Sequence, residues 1–115
     1  MKHYAIIFCA TRTLTLEELQ QRKVEIAAWA KEVKTMGISL DPRSFRRPAA
    51  TLSGQAGEIL FHEDNGGSMF SNIVFLDSPS EDQVIDIAKT HPGLRYGATM
   101  VVREWTAPRE AAFLR

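Results

Sequence analysis

Cysteine is nearly missing from this chain. Cys9 is the only one in 115 residues, so no intramolecular disulfide can form and a zinc site built on cysteines lacks ligands. An excess of either charge is also missing, with 14 Lys plus Arg against 14 Asp plus Glu, so no global field draws in a polyanion. No apolar run approaches the ~20 residues that span a bilayer, and the N-terminus lacks the charged region, apolar stretch and cleavage site of a signal peptide. These absences lead us to expect a soluble, cytoplasmic protein with no membrane or nucleic-acid partner. His3, His62 and His91 show neither i, i+4 nor H-x-H spacing, so no metal is expected. Ser53, Ser68 and Ser71 sit in no G-x-S-x-G elbow, and no Gly-rich loop joins a strand to a helix. No cofactor is expected either. The densest basic stretch, "RSFRRP" (43–48), has no recognised nucleic-acid motif around it and reads as a solvated loop beside a strand.

What the chain does contain is a pattern of strands and helices. "HYAIIFCA" (3–10) is nearly continuously apolar, as in a strand covered on both faces. Thr15 precedes Glu18 by three residues, the spacing of a capping box, and predicts a helix start. Leu19, Ile26, Trp29, Ala30 and Val33 then form one apolar stripe, and Gly37 supplies the stop. Between Ile38 and Ala50, Pro42 and Pro48 permit only an edge strand or a loop. "ATLSGQAGEILFHE" (50–63) reads as a strand that begins with a bend or bulge, and "HEDNGGSMFS" (62–71) as a hairpin loop. "NIVFLD" (72–77) is a second buried strand. Ser80 with Gln83 predicts another capping box, opening a helix that Pro92 and Gly93 end, and "ATMVVREW" (98–105) is the last strand.

The order β-α-β-β-α-β is that of an α+β, ferredoxin-like domain with two helices on one face of an antiparallel sheet. We place one domain at residues 1–105 and a polar tail at 106–115. The runs at 5–9, 73–76 and 98–102 are apolar on both alternating sets of positions. The sheet face without helices should therefore meet apolar surface, most simply that of a second copy in a homodimeric α/β barrel.

Within this frame His91 is the leading candidate for acid/base work. Val84, Ile87, Ala88 and His91 share one helical face, which turns the imidazole toward the sheet. The competing role is a cap on the last carbonyls of the helix. Tyr4, Trp29, Phe75, Met100 and Trp105 are candidates to line an apolar pocket, each being otherwise plain core. Arg103, inside a half-buried strand, needs an anion from Asp77, Glu104 or a ligand unless it sits at an exposed edge. Cys9, inside a strand, reads as an inert small hydrophobe.

Four stretches, "MKHYAIIF", "WAKEVKTMG", "IVFLDSPSEDQVIDIAKTHPGLRYG" and "MVVREW", together resemble the YCII-related proteins, in particular the subgroup named for a DGPF motif. Muconolactone isomerase and antibiotic-biosynthesis monooxygenase families share the dimeric barrel. The YCII branch pairs a histidine on the first helix, eleven residues before its closing glycine, with the aspartate of an Asp-Pro. Here those positions hold Ile26 and His91, and "HEDNGGSMFS" stands where DGPF would be. The resemblance implies a homodimer that binds a small aromatic or carboxylated metabolite. It also implies cofactor-free proton transfer, isomerisation or elimination, with His91 as base, Tyr4 and Trp29 as substrate-binding residues and Arg103 holding an anion. The alternative is a non-catalytic binding or accessory module. Catalysis requires His91 within hydrogen-bond reach of an open, ligand-sized cavity.

Overall fold

The computed structural model describes residues 1–46, 50–62 and 70–107, with the side chain of His62 outside that set. Its elements in chain order are β1 (Lys2–Cys9), α1 (Leu16–Thr35), β2 (Leu40–Ser44), β3 (Thr51–Gln55), β4 (Glu58–His62), β5 (Phe70–Ser78), α2 (Glu81–Lys89), a 3-10 turn (Pro92–Tyr96) and β6 (Thr99–Trp105). Four strands form one antiparallel sheet in the order β2-β5-β1-β6. An α+β architecture with a predominantly antiparallel sheet and two helices follows.

The apolar run at the start of the chain becomes an inner strand, paired with β5 on one edge and β6 on the other. Pairing of Tyr4 with Leu76 and of Ile6 with Val74 and Val102 puts these side chains on one face. Trp29 and Val33 from α1 and Val84, Ile87 and Ala88 from α2 close over that face to make the core. Each large aliphatic side chain buried there contributes about 1.5–3 kcal/mol. Pro42 is tolerated because β2 is an edge strand of this sheet, where a missing N–H breaks no second ladder.

Both helix starts use the expected residues, with one difference. At α1 the box is complete: Glu18 N–H donates to Thr15 Oγ1 (3.1 Å) and Thr15 N–H to Glu18 Oε1 (3.1 Å). Arg12 grips the same carboxylate through both terminal nitrogens (3.2 and 2.8 Å), and this bond, ahead of the Thr15 backbone bond, holds the Glu18 carboxyl down at about 2. At α2, Ser80 Oγ accepts from Gln83 N–H (3.2 Å), but the Gln83 side chain does not return to Ser80. The buried Ser78 hydroxyl donates to Gln83 Oε1 (2.5 Å) and accepts from Ser80 N–H (3.3 Å), so both groups are already satisfied.

The strand expected over 50–63 is instead two five-residue strands, β3 and β4, paired apart from the main sheet. Ala56 (φ 51°) and Gly57 (φ 84°) turn the chain between them, the positive-φ pair that matches the twist of a tight hairpin. A bend was expected at the start of the segment and lies in its middle, because this dipeptide is the cheapest place for the chain to reverse. The hairpin loop expected at 62–71 lies largely outside the described residues. Pairing of Leu52 with Phe61 and Gly54 with Ile59 gives the hairpin one apolar face, and Leu52, Ile59 and Phe61 are 65, 80 and 66% exposed there.

Two glycines with similar φ differ in what surrounds them. Gly37 (φ 79°) stops α1 in open space, whereas a Cβ on Gly97 (φ 86°) would come 2.9 Å from Thr11 Oγ1, whose hydroxyl donates to the Gly97 carbonyl. Gly37→Ala should therefore cost about 1 kcal/mol of strain, and Gly97→Ala at least about 2 kcal/mol, in urea denaturation. Equal costs would contradict the close approach of residues 11 and 97.

Candidate functional site

The segment His91-Pro92-Gly93 is built by rules that act in order. Proline restricts the preceding residue to extended backbone, and His91 has φ −68° and ψ 130°. This ends α2 and starts the 3-10 turn. Gly93, lacking a Cβ, lets the imidazole lie against the backbone: a Cβ there would meet His91 Nδ1 at 3.0 Å and Cε1 at 3.2 Å. Gly93 N–H then donates to His91 Nδ1 at 2.9 Å. Because a backbone N–H can only donate, Nδ1 is the acceptor and the proton of the neutral ring lies on Nε2. His91 thus caps the turn that follows it, not the carbonyls of the helix before it.

Aromatic side chains hold the ring in place. The centroid of Phe8 lies 4.7 Å from that of His91, and Trp29 approaches edge-on at 4.6 Å. The Trp29 indole is itself fixed, since Nε1–H donates to Thr90 Oγ1 (2.9 Å) and Ile87 O (3.3 Å) at the end of α2. His91 is 8% exposed. Burial, and secondarily the nearby positive charge of Arg22, pushes its pKa down from 6.5 to about 4, so the ring is neutral at pH 7.

Between α1, the covered sheet face and the 3-10 turn lies a cavity of about 560 Å³. Its apolar walls come from Phe8 and Val74 on the sheet and from Leu19, Ile26 and Trp29 on α1. Its polar groups include His91, Arg22, Arg12 and Asn72. The apolar stripe of α1 is therefore divided: Trp29 and Val33 enter the core, whereas Leu19 and Ile26 roof the cavity. An extra residue in β5, Ser71, interrupts the register opposite Phe8 and Cys9, and Ser71 also lines the cavity. Tyr96 and Arg95 both hydrogen-bond Glu25, which ties the turn to α1.

Of the residues singled out from sequence, the structure brings His91 and Trp29 together in this cavity. Met100 lies on the covered face, partly buried against the core. Tyr4 is 1% exposed and does not line the cavity, and its buried hydroxyl has no hydrogen-bond partner among the described residues. Arg103 pairs with Ala5 on the opposite sheet face and is exposed. Phe75 and Trp105 lie on that same face, in edge contact at 5.9 Å. There Trp105 also stacks on His3, whose Nδ1 is 2.6 Å from Asp77 Oδ1. Among the described residues no three His, Cys, Asp or Glu side chains come together as a metal-ligand set. No helix among them is long and apolar enough to cross a membrane.

Arg22 was not singled out from sequence, although a signal for it exists. It occupies the stripe position between Leu19 and Ile26, four residues before Ile26 and seven before Trp29. A cation on an apolar stripe is either a snorkelling stem or an anchor for an anion. Neither a protein-family model nor a curated protein matches the chain.

The depressed pKa of His91 has a consequence for stability. Between pH 6.5 and about 4 the unfolded chain binds the histidine proton and the folded protein does not. Stability contributed by the neutral ring is thus complete above pH 6.5 and falls as pH drops toward 4, by at most about 1.4 kcal/mol per unit. His91→Asn should flatten this part of the urea-midpoint-against-pH curve, and an NMR titration of the wild-type ring should give a midpoint well below 6.5. A midpoint at or above 6.5 would remove the buried, neutral histidine.

Proposed function

We propose that the chain is a small-molecule-binding protein of the YCII-related, ferredoxin-like type, and that the cavity beside His91 receives a small, partly aromatic metabolite. The observation that carries this reading is the cavity itself, about 560 Å³, mostly apolar and with the edge of a fixed imidazole in its wall. Binding is favoured over proton abstraction by His91. With Nδ1 occupied by Gly93 N–H, the ring offers Nε2–H as a donor and has no free lone pair for a substrate proton. None of the described residues that line the cavity is Asp or Glu. Any turnover would therefore rest on polarising a substrate oxygen by Nε2–H, as a neutral imidazole can do.

The same reading includes a homodimer joined through the sheet face that carries no helix. Ile7, Ile73, Phe75 and Val101 form an apolar centre on that face, and the Asp41–Arg43 and His3–Asp77 pairs lie at its margins. An apolar centre with paired charges at its rim suits an isologous contact.

The cavity is tested by titrating small aromatic compounds into ¹⁵N-labelled protein and following the Trp29 indole and His91 ring signals. Binding should shift both, and Ile26→Phe, which narrows the roof, should weaken it. No response from either ring at millimolar ligand would sink the reading. Light scattering at micromolar concentration should give about twice the 12.9 kDa chain mass. Phe75→Asp should abolish the dimer, because a carboxylate buried at the contact has no partner; a wild-type monomer would refute the barrel.

A further inference from the structure

We infer that the cavity selects ligands carrying an anionic group, a carboxylate or phenolate on a small apolar body, and that Arg22 together with Nε2–H of His91 holds that group. The inference rests on the cavity being a small-molecule site and names its ligand class. Three observations carry it.

Arg22 lines the cavity with its Nε buried and unsatisfied, and it has no ion pair among the described residues. The neighbouring cations do have partners: Arg12 is held by Glu18 at 2.8 Å and Arg95 by Glu25. Among the described residues, the wall of the cavity thus carries one formal charge without a counter-charge, and it is positive. A guanidinium beside apolar walls has lost part of its hydration and has gained no counter-charge in return. A carboxylate restores both terms through a two-pronged contact that an ammonium or a neutral amide cannot reproduce.

The second group is His91. Its remaining ring proton is on Nε2, with no hydrogen bond from that atom to another described residue. Donor and cation face one space, and an oxyanion is the species that satisfies both. The third observation is the apolar wall. Phe8 and Trp29, each within 4.7 Å of the His91 ring centroid, offer aromatic surface to the body of the ligand. Cationic ligands meet repulsion there, and a divalent metal meets no carboxylate among the described lining residues. The effect of Arg22 on the imidazole is consistent with this arrangement, since its charge already disfavours the imidazolium. A bound anion would oppose that effect.

The test compares 2-naphthoate and 3-phenylpropanoate with their primary amides, by calorimetry and by NMR of the His91 ring. The carboxylates should bind at least about tenfold more tightly than the amides, and should raise the His91 titration midpoint. Arg22→Gln should lower carboxylate affinity about 10- to 100-fold with little effect on the amides, and Arg22→Lys should retain part of it. An unchanged amide spectrum serves as the fold check for each variant. If amides and carboxylates bind equally, the anion site is wrong while the cavity stands. If neither binds, the cavity reading itself fails. A loss of carboxylate affinity in Arg103→Gln but not in Arg22→Gln would place anion recognition on the opposite sheet face and overturn the inference. Should Arg22→Gln fail to fold, the comparison of carboxylate with amide on wild-type protein still decides it.

Discussion

The hydrogen bond from Gly93 N–H to His91 Nδ1 determines what this cavity can do. It exists because Pro92 forces His91 into extended backbone and because Gly93 has no side chain in the way of the ring. Once formed, it assigns the ring proton to Nε2 and so makes the imidazole a donor toward the cavity. Phe8 and Trp29 pack against the ring and hold its orientation, and its burial keeps it neutral at pH 7. A histidine at the same position without that bond could take either tautomer and serve as a base. Three consecutive residues thus set the tautomer and the orientation of the ring.

The cavity exists because α1 is anchored at one end by packing and at the other by polar contacts. Trp29 and Val33 are in the core, whereas Leu19, three turns earlier, is 40% exposed. The N-terminal part of the helix is held by Arg12 on Glu18, and its middle by Arg95 and Tyr96 on Glu25. The Thr11 hydroxyl adds a bond to the Gly97 carbonyl at the end of the 3-10 turn. Contacts of this exposed kind each contribute little to stability. They set the height of the helix above the sheet without filling the space beneath it.

Among the described residues, two apolar surfaces lie outside the core. One is the sheet face opposite the helices, and the other is the face of the β3–β4 hairpin that carries Leu52, Ile59 and Phe61. An isolated two-stranded hairpin is marginally stable in water, and this one packs its apolar side chains against nothing among the described residues. The sheet face is the surface on which the proposed dimer relies.

The sequence by itself determined the local elements, because their causes are local. Thr15 with Glu18, Gly37, Ser80 and Pro92 start or stop helices through bonds and steric limits that span a few residues. The runs at 3–10 and 72–77 are strands, as their short, nearly continuous apolar character with β-branched and aromatic residues indicates. Sequence periodicity also turned His91 toward the sheet, where it is found against Phe8. It could not say which nitrogen carries the proton, since that depends on a Gly93 contact seen only once the turn is formed. Nor could it separate Arg103 from the cavity, because alternation along a strand gives two faces without saying which one the helices cover, or Tyr4, which is on the covered face but packed into the core beside the cavity. Arg22 was visible as a cation on an apolar stripe, but its meaning was not. Only the tertiary structure shows that Glu18 and Glu25 are taken by Arg12, Arg95 and Tyr96, which leaves Arg22 in the cavity wall without a counter-charge among the described residues. Charge compensation is a property of all the groups that meet at a place, and the fold alone decides which groups meet.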